Sequence, residues 1–471
     1  MEKRGIPTVT LCTDEFLSLG LAEAKALGMP TLSIVTVPHP VGGLPAGEVE
    51  KKADQALKDV IQALRVGGGK VGDEKKIDPP RKRAFKAKSI FASPNSDHSG
   101  MEGDKRIMVT DNPESIFQLF QVRGWVDGLP FIPPNEERVA KMMAYADRDP
   151  KEVLALLPPR WGEATLEKIA VNAVMAGCLP QYFPVVVAAV SAMADEAFNL
   201  YAVQATTHPC SPLILVNGPL AKELNINSRY NALGQGWRSN ATIGRAIRLI
   251  LLNIGGGAPG VLDRATLGQP GKYSYCLAEN EAENPWVPLH VERGFSKEDS
   301  TVTLFGAEAP HNINDHRSTS ARDILKTAAH TMAVPGCNNV LVGGEVLLLL
   351  GPEHAATIAR DGFSKEDIKK IIFAEARVPL DNFPQTSWEW IGQMRPHLQD
   401  IFKKRAKLPI VDQWQDIQVA IAGGAGKHSA FIPTFGATKS ITKAIALRDG
   451  RPARSIKEFM PNPYLSGLII S

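Results

Sequence analysis

Three short apolar runs in this chain each break off into a glycine-marked polar loop, and that pattern limits the folds open to it. Leu213 to Val216 runs into Asn217-Gly218-Pro219, and Val346 to Leu350 into Gly351-Pro352-Glu353-His354. Gln418 to Ala422 runs into Gly423-Gly424-Ala425-Gly426-Lys427-His428-Ser429. Short runs with little polar alternation are strands buried on both faces. The stripe Ala321, Ile324, Leu325, Ala328, Ala329 and Met332 reads as one face of a covering helix. Buried strands interleaved with helices define an α/β protein, and in open α/β sheets ligands bind where the strands end. The loops are therefore where chemistry is expected.

The densest of them is Gly306 to Ser320, which follows an apolar strand at 300–305 and precedes the helix starting at Ala321. It carries His311, Asn312, Asn314, Asp315, His316 and Arg317. Ser320 and Asp323 have the spacing of a capping box for that helix. A histidine beside a carboxylate is the minimum for an oriented general base, because the carboxylate fixes the tautomer and steadies the imidazolium. His311 and Asp315 face each other if the residues between them turn. Two other readings stay open: a loop held by its own Asn and Asp side chains, or a metal site if two or three of His311, Asp315, His316 and His354 converge.

Further candidates lie elsewhere. His354 opens a helix whose positive end disfavours imidazolium, which suits a neutral ligand or donor. Lys427, His428 and Ser429 sit on a glycine-rich turn able to hold a carboxylate through its N–H groups, or serving simply as a strand-to-helix turn. Arg238 is a candidate anion clamp, and Asn240 reads either as an N-cap or as a substrate contact. Glu279 belongs to an acidic and aromatic stretch expected to wall a site. Cys210, after Thr206-Thr207-His208-Pro209, is the candidate nucleophile, whereas Cys178, at the end of an apolar helix, reads as core.

Composition narrows the class. A formal charge of +3 over 471 residues gives no global pull towards nucleic acid or membrane. Five widely spaced cysteines without a Cys-x-x-Cys pair argue against a disulfide framework or structural zinc. The N-terminus lacks the apolar core of a signal peptide. Val185 to Ala194, the best membrane candidate, is too short to span a bilayer. A cytoplasmic protein with a small-molecule substrate is expected.

Residues 1–65 read strand, helix, strand, helix, with strands at Ile6 to Leu11 and Leu32 to Val37. Two parallel strands and two helices do not make a stable core. Glu2-Lys3-Arg4-Gly5-Ile6-Pro7-Thr8-Val9, with Val37-Pro38-His39-Pro40, resembles the tail of the UGSC family of selenoproteins and their cysteine homologues. That family in turn resembles the selenoprotein B component of glycine reductase. The resemblance implies a Rossmann-like parallel-sheet domain whose redox motif, selenocysteine or cysteine before Gly-Ser-Cys, lies upstream of these residues. Three expectations follow: another polypeptide supplies the rest of the domain, an upstream selenocysteine codon was read as a stop, or the segment is a structural relic.

Residues 66–104 have the composition of a flexible basic linker. Residues 105–471 read as one large α/β catalytic domain. A weak internal repeat is visible there. Leu213-Ile-Leu-Val-Asn-Gly-Pro can be laid on Leu347-Leu-Leu-Leu-Gly-Pro, and Ala241-Thr-Ile-Gly-Arg on Ala437-Thr-Lys-Ser-Ile. Two similar halves would place a site in the cleft between them.

The leading expectation is an enzyme acting on a small anionic organic substrate. The resemblance adds a thiol- or selenol-linked reduction whose redox residue comes from an upstream segment or a partner. A metal-assisted hydrolase or lyase, and a non-catalytic subunit completing a partner's redox domain, are the alternatives. A homo-oligomer is also open, and no cofactor is assigned.

Overall fold

The structure is a computed structural model that describes residues 6–26, 28–41, 44–66, 107–109, 111–146 and 148–459. Apart from Val66, the stretch expected to be a linker lies outside the described residues, as do Glu2 to Gly5.

The N-terminal segment holds β1 (Val9–Thr13), α1 (Leu17–Ala26), β2 (Ser33–Val37) and α2 (Ala46–Val66). Its strands pair in parallel, Val9 with Ser33 through Thr13 with Val37. Its core is thin: among the described residues its buried cluster is Val35, Val37 and Ala56. The stripe along α2 therefore stays largely open, with Leu57, Ile61 and Leu64 exposed. Contacts of the segment with the rest of the protein include Ser18 Oγ to Val261 O at 3.4 Å, Glu15 to Arg264 at 3.7 Å and the Arg264 guanidinium 5.9 Å from the Phe16 ring centre.

The large unit is built on two four-stranded sheets. Its relevant elements are α3 (Leu166–Ala176), α4 (Phe183–Met193), β3 (Ser211–Asn217), α5 (Arg238–Asn253), β4 (Cys276–Ala278) and β5 (Thr301–Ala307). Then come β6 (His311–Asn314), α6 (Ala321–Met332), β7 (Val346–Leu350), α7 (Pro352–Arg360), α8 (Lys365–Glu375), β8 (Ile417–Ile421), β9 (His428–Ile432) and β10 (Ile441–Ala444). The first sheet runs β10-β5-β3-β4 and the second β6-β9-β7-β8. Each has one parallel pair, β3 with β4 and β7 with β8, and the remaining pairs are antiparallel.

Strand alternation sorts the side chains into three cores. Ile214, Val216, Ala278 and Leu304 point towards α3, α4 and α5. Leu348, Leu350, Ile421 and Phe431 point towards α6, α7 and α8. Leu213, Leu215, Leu277, Phe305, Leu347, Leu349 and Ile432 fill the space between the sheets. The result is an α/β/β/α sandwich, with each buried Leu contributing about 1.5–3 kcal/mol. This explains why the central strands read as unbroken apolar runs: both of their faces are covered.

The registers of the two sheets correspond. Val216 pairs with Ala278 as Leu350 pairs with Ile421, and Ile214 with Leu304 as Leu348 with Phe431. Leu304 then pairs with Ile441 as Phe431 pairs with His311. The outer antiparallel strands are exchanged: the chain leaves β5 of the first sheet to form β6 of the second, and leaves β9 of the second to form β10 of the first. The crossing is sealed by Phe435 N to Gly306 O and Glu308 N to Pro433 O, both 2.8 Å, flanking a bridge between Ala307 and Thr434.

The repeat seen as Leu213 on Leu347 thus aligns corresponding central strands, with Asn217 as one extra residue before the Gly-Pro turn. The second alignment does not correspond to structure. Ala241 lies within α5, whereas Ala437 lies in the crossover before β10. Two further expectations change. A strand, β6, interrupts the loop 306–320, and 423–429 leads into strand β9 rather than a helix. Both strands are polar where they are exposed, which hid them. α4 is apolar all round because it is core, with Phe183, Val185, Val186, Ala189 and Val190 buried. Among the described residues no single helix is long and apolar enough to cross a membrane.

Candidate functional site

The open edge of the second sheet gathers three of the polar loops. Among the described residues edge strand β6 pairs only with β9, placing Asn314 opposite His428, Ile313 opposite Ser429 and Asn312 opposite Ala430. Because side chains alternate across a strand, Asn312, Asn314 and His428 share one face and are exposed. Ile313 turns into the second core. His311 falls on the Ile313 face, so it parts from the others and does not meet Asp315 as expected. Asp315 instead accepts from Ser318 N at 2.9 Å. Burial works against its charge, but hydrogen bonds from Ser318, Thr327 and Arg317 together outweigh that and hold its pKa below the usual carboxylate range.

At the exposed rim, His316 and His428 meet with their Nε2 atoms 3.1 Å apart and their rings nearly perpendicular at 77°. His428 Nδ1 lies 2.9 Å from Asn312 Oδ1. With the amide oxygen accepting, His428 carries its proton on Nδ1 and offers the Nε2 lone pair to His316. His316 then donates from Nε2 and leaves Nδ1 as a base with no partner among the described residues. Lys427 Nζ reaches the carbonyls of His316 and Ser318 at 3.4 and 3.3 Å, holding an ammonium beside the pair.

A buried brace sits one residue away on the opposite face of β9. His354 Nε2 lies 3.1 Å from Asp315 O, its Nδ1 lies 2.8 Å from Ser429 Oγ, and Gly351 N donates to the same Oγ at 3.0 Å. A carbonyl only accepts, so His354 carries its proton on Nε2 and its Nδ1 accepts from the Ser429 hydroxyl. Burial lowers the pKa of His354 below its ordinary 6.5. The residue is 1% exposed, which makes it a neutral tie between three loops and removes it from the reacting surface expected of it. Gly351 is needed for this closeness, since a Cβ there would lie 2.1 Å from His428 O. Glu353, in the first turn of α7, accepts from Gly426 N at 2.7 Å and fixes the glycine-rich turn.

Four expected site residues lie elsewhere. Arg238 starts α5 and donates from Nε to Gly177 O at 3.0 Å. Asn240 is not the cap of that helix, a place held by Trp237. It is buried, bonding Asn227 N at 2.7 Å and the carbonyls of Asn227, Ala232 and Cys276. Glu279 is buried where the two sheets meet, accepting from Leu289 N, Asn217 Nδ2 and Asn284 Nδ2. Burial raises its pKa. Cys210 is fully buried, with Sγ directed to Val203 O, and burial pushes its thiol up to about 12. A nucleophile needs the opposite shift. Its neighbour His208 bonds Glu308 at 2.8 Å.

Among the described residues no group of three or more His, Cys, Asp or Glu is placed to hold a metal ion. Residues 1–66 match the model of the UGSC family. No curated protein matches the chain. In the matched segment the parallel strands end together at a small polar cluster. Thr13 Oγ1 lies 3.1 Å from His39 Nδ1, and Asp14 Oδ1 accepts from His39 N at 2.9 Å. Burial, then the Asp14 charge, raises the Cys12 thiol. The other thiols are also raised by burial, Cys178 and Cys337 to about 12 and Cys276 further still. None of the five cysteines is activated.

Proposed function

We propose that the chain is an acid/base enzyme for a small anionic organic substrate, working at the rim of the second sheet. The observation that carries this reading is the meeting of His316 and His428, brought from loops 112 residues apart and aligned by Asn312. His316 Nδ1 takes the substrate proton. The imidazolium so formed keeps its Nε2–H on the His428 lone pair, and His428 is held by the Asn312 carbonyl. Lys427 draws in the anionic group, with the exposed Arg317 beside it. His354, Ser429 and Gly351 act as positioning residues, because they lock the chain on either side of the pair. Positioned proton transfer of this kind contributes roughly 10²–10⁴-fold in rate.

The test is turnover of a panel of small carboxylates and phosphate esters, followed by NMR. The wild-type chain is expected to consume at least one member, and His316→Ala and His428→Asn to lose about 10²-fold of that rate or more. Undiminished turnover in both variants would sink the proposal.

A thiol- or selenol-linked reduction is the second reading, favoured by the match of residues 1–66 to the UGSC family. With every thiol of this chain held protonated, that reaction takes its redox group from another segment or polypeptide. Native co-purification tests it: a partner bearing Gly-Ser-Cys supports the reading, and turnover of the purified chain without any added thiol or selenol opposes it.

A further inference from the structure

Buried polar groups without partners gather at the carboxyl end of β3, in the first half of the large unit. Four of the eight buried side-chain polar atoms with no hydrogen bond among the described residues lie here: Asn217 Oδ1, Thr301 Oγ1 and both ring nitrogens of His290. All three residues are 0% exposed. Asn217 ends β3 directly opposite Thr301, the first residue of β5, so their side chains share a face and are neighbours. β4 runs parallel to β3, and the chain leaving it carries Glu279 and Glu281 to the same point. In open α/β sheets this end of a parallel pair is where ligands bind.

Asn217 donates from Nδ2 to Glu279 Oε2 at 2.7 Å and to Glu281 Oε1 at 3.1 Å. With its nitrogen on two carboxylates the amide has one orientation, and Oδ1 is fixed as an acceptor. Glu279 is saturated: Oε1 accepts from Asn284 Nδ2 at 2.9 Å and Ile421 N at 3.4 Å, and Oε2 also from Leu289 N at 2.9 Å. Glu281 Oε1 also accepts from Gly218 N at 2.7 Å, whereas its Oε2 has no hydrogen bond among the described residues. Neither carboxylate has a cationic side chain within ion-pair distance among the described residues. The basic groups nearby are paired elsewhere, Arg229 with Glu283 at 3.2 Å, Lys365 and Lys369 with Glu292, and Arg454 with Asp299 at 3.5 Å. Lys365 acts on Glu279 only from a distance. His290 does not supply the charge either: burial lowers its pKa despite Glu281, Asp299 and the nearby backbone of Ser296 and Lys297.

We propose that a monovalent alkali cation binds here, held by Glu281 Oε2, Asn217 Oδ1 and Thr301 Oγ1. All three oxygens can ligate a cation, and the ion brings these two carboxylates the positive charge that no side chain brings into contact with them. Water would satisfy the hydrogen bonds but not the charge. One carboxylate with two neutral oxygens suits a single charge, whereas calcium takes about six to eight oxygens and magnesium demands a rigid octahedron. A transition metal would want several His, Cys, Asp or Glu ligands, and among the described residues no such group of three exists. The ion ties the end of β3, the start of β5 and the loop after β4 together.

The experiment is denaturant unfolding of the full chain in increasing potassium or sodium chloride, with choline chloride holding the ionic strength constant so that screening does not change. The midpoint is expected to rise with the logarithm of the alkali-ion concentration, as for any ligand of the folded state. Glu281→Gln is expected to abolish the rise. Thr301→Val keeps the shape and removes one oxygen; it is expected to move the onset to about tenfold higher concentration, and it decides the matter should Glu281→Gln fail to fold. Broadening of the ²³Na NMR line by the folded chain, reversed by potassium and weakened in Thr301→Val, reads binding without unfolding. No rise with either alkali ion would leave water as the partner and overturn the proposal. An unchanged rise in both variants, or a larger response to calcium chloride at the same ionic strength, would overturn it equally.

Discussion

The two halves of the large unit share a strand order and a register, yet only one presents reactive side chains at its edge. Where the second half places Asn312, Asn314 and His428 on one face of the β6–β9 pair, the first places Thr442, Ala444 and Thr301 at the corresponding positions of β10 and β5. Where the second has Ser429 under the helix layer, the first has Val302. Thr442 is spent on structure, bonding Thr303 at 2.9 Å and Arg293 at 3.2 Å. The comparison separates what the sandwich requires from what the site adds. Covered central strands and a glycine before each proline serve the fold in both halves, while imidazoles and amides at an exposed edge serve no packing purpose.

The largest expected effects fall on what the halves share. Gly351→Ala and Gly218→Ala each drive a Cβ into backbone, to within 2.1 Å of His428 O and 2.3 Å of Asp299 O. Each is expected to cost about 3 kcal/mol or more, seen as a lowered midpoint of denaturant unfolding. Near-native midpoints for both would show that the glycines are incidental. Next comes the tie that only the second half possesses. His354→Ala strands the Ser429 hydroxyl and the Asp315 carbonyl, an expected loss of about 2–4 kcal/mol.

The pH response of the same residue gives a smaller and signed effect. His354 has a folded pKa below its ordinary 6.5, so the folded state holds fewer protons than the unfolded one between those two values. Its contribution is full above about pH 6.5 and is lost as pH falls through the folded pKa, with a slope of at most about 1.4 kcal/mol per pH unit. Unfolding midpoints measured from pH 8 downward in wild type and His354→Gln check this; parallel curves would contradict it. The smallest structural effect and the sharpest functional contrast come from the edge strands. Asn312→Ala is expected to slow turnover about tenfold, the value of one aligning hydrogen bond, with stability changed by less than about 0.5 kcal/mol, as at other exposed sites. The corresponding Thr442→Ala is expected to leave turnover alone. Equal losses from both would erase the functional difference between the halves.

Much of this was legible in the sequence. β7 and α6 start and stop where the apolar run and the Ser320 cap place them. The composite nature of the site also showed, since three polar loops each follow a buried strand. What did not show is long-range. Whether His311 or His316 joins His428 depends on the register of β6 against β9, and a one-residue slip would reverse the answer. The strand exchange is invisible locally because β6 and β10 draw their identity from partners on the other half. Cys210 misled for a related reason. Its neighbours Thr206, Thr207 and His208 suggest a polar loop, but the thiol itself turns into the core below β3.

The account is tested most directly by following the histidine ring nitrogens of the ¹⁵N-labelled full chain while the panel of small carboxylates and phosphate esters is added. If the second half's edge is the reacting surface, the signals of His316 and His428 move together, and His354 stays neutral with its proton on Nε2. Shifts confined to His208 and His290, which belong to the first half, would contradict it.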